Sequence, residues 1–318
     1  MDNFYGKKLY LYLLLALLVA GTAFGQETTG AIRGEVSDPT GAIIPGATVE
    51  ISGPGLMRAQ TQKTDASGTY NFLTLPPGVY AVSTSAQGFA SVKRVNIDLQ
   101  VGKTLRVDFR LEVSTATQTV EVISEAAIVD VSQSTVAANV TATSFDRLPK
   151  TRGFSSLIAL APGARKEDKA GGYQVDGASG SENVYVIDGM DQTNIYSGTL
   201  PTSGNIPTEF VQELQVKSSG FQAEYGGAMG GVINVVTKSG SNDFHGDIGL
   251  YLQTDSMQAR PRPTLDTLPE DDFTAYYLQN QTDDFRYLNP GFTIGGPMVK
   301  NKLWFFAGYY PELRRWER

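Results

Sequence analysis

The sequence contains no cysteine and only one histidine, His245, in 318 residues. Without thiols there are neither disulfide staples nor thiolate metal sites, so the fold rests on burial and hydrogen bonding. A lone histidine with no second ligand beside it is a poor start for a metal centre. Basic residues are the minority: 26 Lys and Arg against 33 Asp and Glu give a net charge of −7 and a pI near 4.9. A nucleic-acid binder carries a basic face, so that class of partner is set aside. Long apolar runs are scarce as well. The one at residues 9–20 falls short of the ~20 apolar residues of a membrane-spanning helix. No nucleophile–base–orienter set stands out, which argues against an enzyme. What is abundant is glycine, with 34 residues, and tyrosine, with 15. With 41% hydrophobic and 19% charged residues, this is the composition of a turn-rich β protein of two or three domains.

Lys7 and Lys8 precede the apolar run, and small residues follow it to Gly25. That order is the one of a secretory signal peptide over residues 1–25, with Ala23-Phe24-Gly25 as the cleavage site. From residue 28 to residue 113, AIRGEV, ATVEIS, TYNFLTL, VYAVSTS, KRVNIDL and TLRVDFRLEV alternate apolar and polar positions. The turns between them include Asp38-Pro39-Thr40-Gly41, Asp65-Ala66-Ser67-Gly68 and Pro76-Pro77-Gly78, where proline presets φ and glycine supplies the positive one. Six or seven short strands at this spacing predict a small antiparallel β-sandwich.

The stretch 206–240, IPTEFVQELQVKSSGFQAEYGGAMGGVINVVTKSG, is the centre of the chain. Phe210, Val211 and Leu214 recur at helix-like spacing, Val216 lies in a brief extended piece, and VINVV at 232–236 reads as a buried strand. Gly220, Gly226, Gly227, Gly230 and Gly231 require sharp turns or a close backbone approach. No Lys-Ser/Thr follows these glycines and no helix opens after them, so they are not a phosphate loop. The EYGG…GGVINVVTKSG…FHG series resembles the last part of the plug domain of TonB-dependent outer-membrane receptors. The match is to their Oar-like branch, which carries an N-terminal carboxypeptidase-regulatory-like domain. Glu224, Tyr225, Gly226, Gly227, Gly230, Gly231 and Asn234 carry the resemblance as a structural motif. Gly220-Phe221 departs from the Gly-Pro of many members. GAIIPGATVEI…TDASGTYNFLTLPPGVYAVSTSAQGF is similar to the carboxypeptidase-regulatory-like module at its turn positions. That module shares its shape with carbohydrate-binding sandwiches, but shape does not fix function, and a structural role is the expectation. Residues 148–163 resemble the first plug helix, with Leu157, Ile158 and Leu160 as its apolar turn.

Between the two, residues 114–143 lack Pro and Gly and are read as an extended linker. Within it, Thr119, Val120, Glu121, Val122 and Ile123 alternate β-branched and polar positions. The resemblance implies a TonB box here, pairing by strand addition with an energy-transducing partner. The alternative is that these residues extend the last sandwich strand or pack on the plug. In the plug span 144–240, Val184–Ile187 reads as a short buried strand. Asp176, Asp188 and Asp191 have neither a histidine nor a calcium-loop spacing around them. Asp before Gly in a turn accounts for Asp176 and Asp188 as structural residues. The polar loop 191–205 offers Asn194, Tyr196 and Ser197, which the resemblance places toward the ligand cavity; a solvated loop is the plain alternative.

After Gly240, Phe244, Gly246, Ile248, Leu250 and Leu252 alternate with polar positions, the period-2 pattern of a membrane β-strand. Residues 257–285 read as a long charged loop, and 291–310 as a hairpin around Lys300-Asn301-Lys302 with an aromatic girdle. A plugged transporter needs about 22 strands of roughly 9–11 residues each, and residues 241–318 hold about three. The expectation is therefore the N-terminal part of a larger receptor, with Arg314, Arg315, Glu317 and Arg318 as an interruption. The fold class expected is mainly β: sandwich, then mixed α/β plug, then the first strands of an incomplete barrel. No cofactor and no metal are expected. The resemblance implies an exported, non-enzymatic protein of a Gram-negative-type outer membrane, its sandwich and coupling site facing the periplasm. Its implied partners are a TonB-type transducer, outer-membrane lipid and an unidentified solute. The rival reading is an exported carbohydrate-binding sandwich protein.

Overall fold

The computed structural model describes residues 28–53, 55–56, 58–114, 119–123, 135–222, 224–259, 262–268, 271–278 and 284–317, so the signal-peptide span lies outside the described residues. The chain divides into two units, 1–238 and 239–318.

The first unit opens with β1 (Gly30–Ser37), β2 (Thr48–Ser52), β3 (Gln60–Lys63), β4 (Thr69–Leu75), β5 (Gly78–Ser85), β6 (Ser91–Leu99), β7 (Thr104–Arg106) and β8 (Phe109–Arg110). One sheet runs β4-β1-β7 with β8 also on β1; the other runs β3-β2-β5-β6 and ends on β9 (Thr119–Ile123). Ile32, Val36, Val49, Ile51, Tyr80 and Val82 fill the space between them. The exposed strand β3, QTQK, has no apolar alternation and escapes a pattern-based reading. Most pairs are antiparallel, but β7 and β8 lie parallel to β1.

The run TLRVDFRLEV forms two short strands instead of one, and the break has a chemical cause. The ladder bond expected from the Glu35 N–H to the Val107 carbonyl is replaced at both ends. The Asp108 carboxylate accepts from Glu35 N–H at 2.9 Å, and the buried Tyr70 hydroxyl donates to the Val107 carbonyl at 2.5 Å. Burial holds the Tyr70 phenol well above its usual range, so it stays a donor. The two Asp-led turns form as read. Asp38 Oδ1 accepts from the Thr40 and Ala42 amides, and Asp65 Oδ1 from those of Ser67 and Thr69. Bonds from the Ser67 and Thr69 hydroxyls and backbone push the Asp65 carboxyl down to about 2.

The plug consists of β10 (Val136–Thr141), β11 (Ala164–Lys166), β12 (Tyr173–Val175), β13 (Val184–Ile187), β14 (Met190–Asp191), β15 (Val211–Ser219) and β16 (Val232–Thr237). Its sheet order is β10-β15-β16-β13-β14, with β13 and β16 parallel and buried, and β11-β12 a separate hairpin. β10 lies inside the span read as linker and pairs with β15, so the plug sheet begins at Val136. The helix-like spacing of Phe210, Val211 and Leu214 misleads: Thr208–Phe210 is one 3-10 turn, and Val211 opens the nine-residue strand β15. Hydrogen-bonded neighbours on both sides decide this, since β15 lies between β10 and β16. The first plug helix is a 3-10 helix, Phe154–Leu160, that buries Phe154, Leu157 and Ile158, while Leu160 stays on the surface.

The second unit contains β17 (His245–Thr254), β18 (Thr264–Leu268), β19 (Asp271–Leu278), β20 (Asp284–Val299), β21 (Leu303–Tyr309) and β22 (Leu313–Glu317). β20 is the hub: β17 pairs along it, and β21 and β22 pair with its two ends. Ile248 faces Phe292 across the ladder, with Leu250, Leu252 and Ile294 also exposed, which is the apolar face the alternation requires. One sequence reading changes here: the charged span 257–285 contains the hairpin β18-β19. The Arg-rich end pairs with β20 as β22. Among the described residues the sheets do not close into a barrel.

Candidate functional site

Thr119–Ile123 is not a free connector. As β9 it pairs parallel with β6, from Ser91↔Thr119 to Val95↔Ile123, and stands last in its sheet. The backbone of this segment is thus already engaged in strand addition, on the chain's own sandwich.

The plug sheet presents two different faces. Leu214 and Val216 on β15 point into the core with Phe154, Leu157, Ile233 and Val235. The alternate residues Glu213, Gln215 and Lys217 point the other way, yet each is only 2% exposed. Polar residues at every second position read as a solvated face in sequence; here that face is covered. Lys217 lies over the Tyr225 ring, its Nζ 4.5 Å from the centroid and 3.2 Å from the hydroxyl. Phe221 meets Tyr225 edge-on. Tyr225 therefore serves the motif by closing the loop that precedes β16.

The motif glycines also have identifiable neighbours. A Cβ on Gly230 would lie 2.6 Å from Asn183 Oδ1, and one on Gly231 would lie 3.0 Å from the Lys217 carbonyl oxygen. Asn183 imposes this at Gly230, and the Val175 side chain and Lys217 backbone impose it at Gly231. Asn183 Oδ1 accepts from Gly231 N–H at 2.8 Å, and its Nδ2 donates to the Tyr173 carbonyl at 2.6 Å. The close approach expected of these two glycines is therefore made within the plug. Gly227 supplies a φ of 87°, Gly226 is exposed with open space beside it, and Glu224 is exposed. Asn234 sits buried in mid-sheet, opposite Gln215 on one side and Val186 on the other. Asn183, Glu213 and Lys217 escaped the sequence reading because no spacing announces a buried polar contact.

In the loop, Asn194 Oδ1 accepts from the Tyr196 and Ser197 amides at 2.9 and 3.2 Å, which makes Asn194 a turn-former. Ser197 and Thr199 share a hydroxyl bond. Ile195 and Tyr196 then project at the tip, 89% and 93% exposed. The three carboxylates act locally. Asp188, at φ 48°, accepts from both the amide and hydroxyl of Thr237, tying the end of β13 to β16. Asp191 accepts from the Thr193 amide, and Asp176 turns the chain at φ 49° against Gly163. Among the described residues no three His, Cys, Asp or Glu side chains come together as a metal site.

Three family models match in order: a carboxypeptidase regulatory-like domain over residues 31–112, a TonB-dependent receptor plug domain over 112–232 and an outer membrane beta barrel domain over 236–314. The TonB-dependent transporter Oar of Myxococcus xanthus is 33% identical over 95% of this chain and 28% of its own length. The ferrienterobactin receptor of Escherichia coli is 30% identical over 36% of this chain and 18% of its own length. A probable TonB-dependent siderophore receptor of Acinetobacter baumannii, PirA, is 25% identical over 54% of this chain and 22% of its own length. The chain thus spans less than a third of the length of the curated relatives it matches.

Proposed function

Because this chain belongs to the TonB-dependent receptors, with their regulatory-like sandwich, plug and part of their barrel, we propose that it serves energy-coupled uptake of a scarce solute across an outer membrane. The observation that carries this reading is the unbroken order of sandwich, plug sheet and amphipathic strands along one chain. The family consists of transporters and is non-enzymatic.

In this reading Thr119–Ile123 is the contact for a TonB-type transducer. β9 ends its sheet, so a partner strand added at the outer edge continues the ladder by main-chain bonds alone. The tip of the plug loop, with Tyr196 held out by the Asn194 turn, meets the solute, and Ser197 supports the turn. The apolar face formed by Ile248, Leu250, Leu252 and Phe292 lies against lipid. The sandwich and the coupling segment face the periplasm after export.

Val122→Pro tests the coupling contact, because proline removes a ladder donor. Wild-type receptor recovered from the outer-membrane fraction is expected to capture the periplasmic domain of the transducer, and the variant to lose at least about tenfold of that capture. Full capture by Val122→Pro removes the role from Thr119–Ile123. Recovery of the protein from the periplasm overturns the transport reading and favours a carbohydrate-binding sandwich.

A further inference from the structure

The turn between β6 and β7 carries Val101, which is 1% exposed. Its main chain is bound at both ends by side chains of the plug, more than a hundred residues away in two of the three cases. The Val101 N–H donates to both oxygens of Glu213, at 3.3 and 3.2 Å. The Val101 carbonyl accepts from Gln215 Nε2 at 2.7 Å and from Asn139 Nδ2 at 3.4 Å. Asn139 also donates to Glu213, and its own carbonyl receives Gln215 at 3.4 Å. The three plug residues are neighbours by register: Asn139 on β10 is directly opposite Gln215 on β15, and Glu213 is two residues along the same face. Two primary amides and one carboxylate therefore converge on a single residue's backbone.

We propose that Asn139, Glu213 and Gln215 form a clasp that docks the N-terminal sandwich on the plug through the main chain of Val101. The two domains then move as one body until the clasp opens. The inference rests on the contact between the domains and holds whatever the solute is.

The clasp contains one titratable group. Burial pushes the Glu213 carboxyl up to about 7, against the lowering effect of the Asn139 and Val101 bonds. The charged groups that face it are Asp98 of β6, which raises it, and Lys103 of the turn, which lowers it. Lys217 lies four residues from Glu213 along the same plug face, beyond Gln215 and over Tyr225. In an undocked plug the carboxyl regains water and its ordinary value near 4.5. The docked form thus holds more protons than the undocked form between these two values. Docking is strongest at and below the ordinary value and weakens as pH rises through about 7.

These 318 residues contain no cysteine, so a spin-label pair at Glu50→Cys on the sandwich and Arg147→Cys on the plug meets no competing thiol within them. Wild type is expected to give one narrow distance at pH 6 and a broadened distribution at pH 8.5. The docking constant should fall about tenfold between the two, most of it between pH 6 and the carboxyl's value of about 7. In Glu213→Gln, a neutral isostere that keeps the Val101 and Asn139 contacts, the narrow distance should persist at both pH values. Asn139→Ala/Gln215→Ala should be broad at pH 6, with amide exchange in β5 and β16 unchanged as evidence of folding. A pH response in Glu213→Gln equal to that of wild type overturns the proposal, and this comparison needs no destabilised variant. A narrow distance in a folded double variant overturns it independently.

Discussion

Gly34→Ala is expected to unfold the N-terminal sandwich under conditions that leave the plug folded. A Cβ built on Gly34 would lie 1.9 Å from the Val107 carbonyl oxygen, 2.7 Å from its carbon and 2.9 Å from the Tyr70 ring. Two of these contacts are backbone, so no rotamer change relieves them. They arise because the Val107 carbonyl has turned away from the β1 ladder to accept from Tyr70 while Asp108 serves the Glu35 amide. A side chain at position 34 therefore breaks the exchange of bonds that joins β1 to β7 and β8. The cost should exceed about 3 kcal/mol, the upper range of an overpacked core. Gly46→Ala is the control: its φ of 73° carries strain, but no atom lies within 4 Å, so about 1 kcal/mol is expected. Amide exchange of β1, β4 and β5 peptides against urea separates sandwich from plug. Equal losses in the two variants would mean that the crossing of Val107 over Gly34 is slack.

Phe154→Ala should have a comparable effect on the plug and leave the sandwich standing. Phe154 opens the 3-10 helix, is fully buried, and shares its cluster with Leu157, Leu214, Val216, Ile233 and Val235. The helix is held where it starts by the Phe154 amide donating to the Ile206 carbonyl at 3.0 Å, so it cannot slide to fill the space. Removing a buried phenyl ring costs about 3–5 kcal/mol when the site does not collapse. Phe154→Leu should cost about 1–1.5 kcal/mol, since most of the volume remains. The measurement is amide exchange in β15 and β16, whose core residues share its cluster. A loss below about 1 kcal/mol for Phe154→Ala would place the helix outside the plug's cooperative unit.

Much of the architecture is legible in the residues themselves. The Asp38 and Asp65 turns, the buried VINVV strand and the apolar stripe of β17 each follow from local rules: side-chain capture of nearby amides, β-branched burial and period-2 alternation. The resemblance carried by EYGG…GGVINVVTKSG gave the plug its place. Where the reading failed, the pattern fitted two structures. Phe210, Val211 and Leu214 satisfy a helical spacing as well as a strand that begins at Val211. Neighbours recruited from residues 136–141 and 232–237 settle the matter, and no local spacing can report them.

The same limit explains the candidate site. Alternation in E-L-Q-V-K determines that Glu213, Gln215 and Lys217 share one face, because successive residues of a strand point to opposite sides. It does not determine whether that face meets water or protein. Alternation in T-V-E-V-I determines a strand, and the choice of β6 as its partner lies in the assembled sandwich. Sequence alone thus set the elements and their two-sidedness, which depend on bonds and side chains a few residues apart. Only the tertiary structure decided what covers each face, because burial, and with it the raised Glu213 carboxyl, comes from segments far apart in the chain.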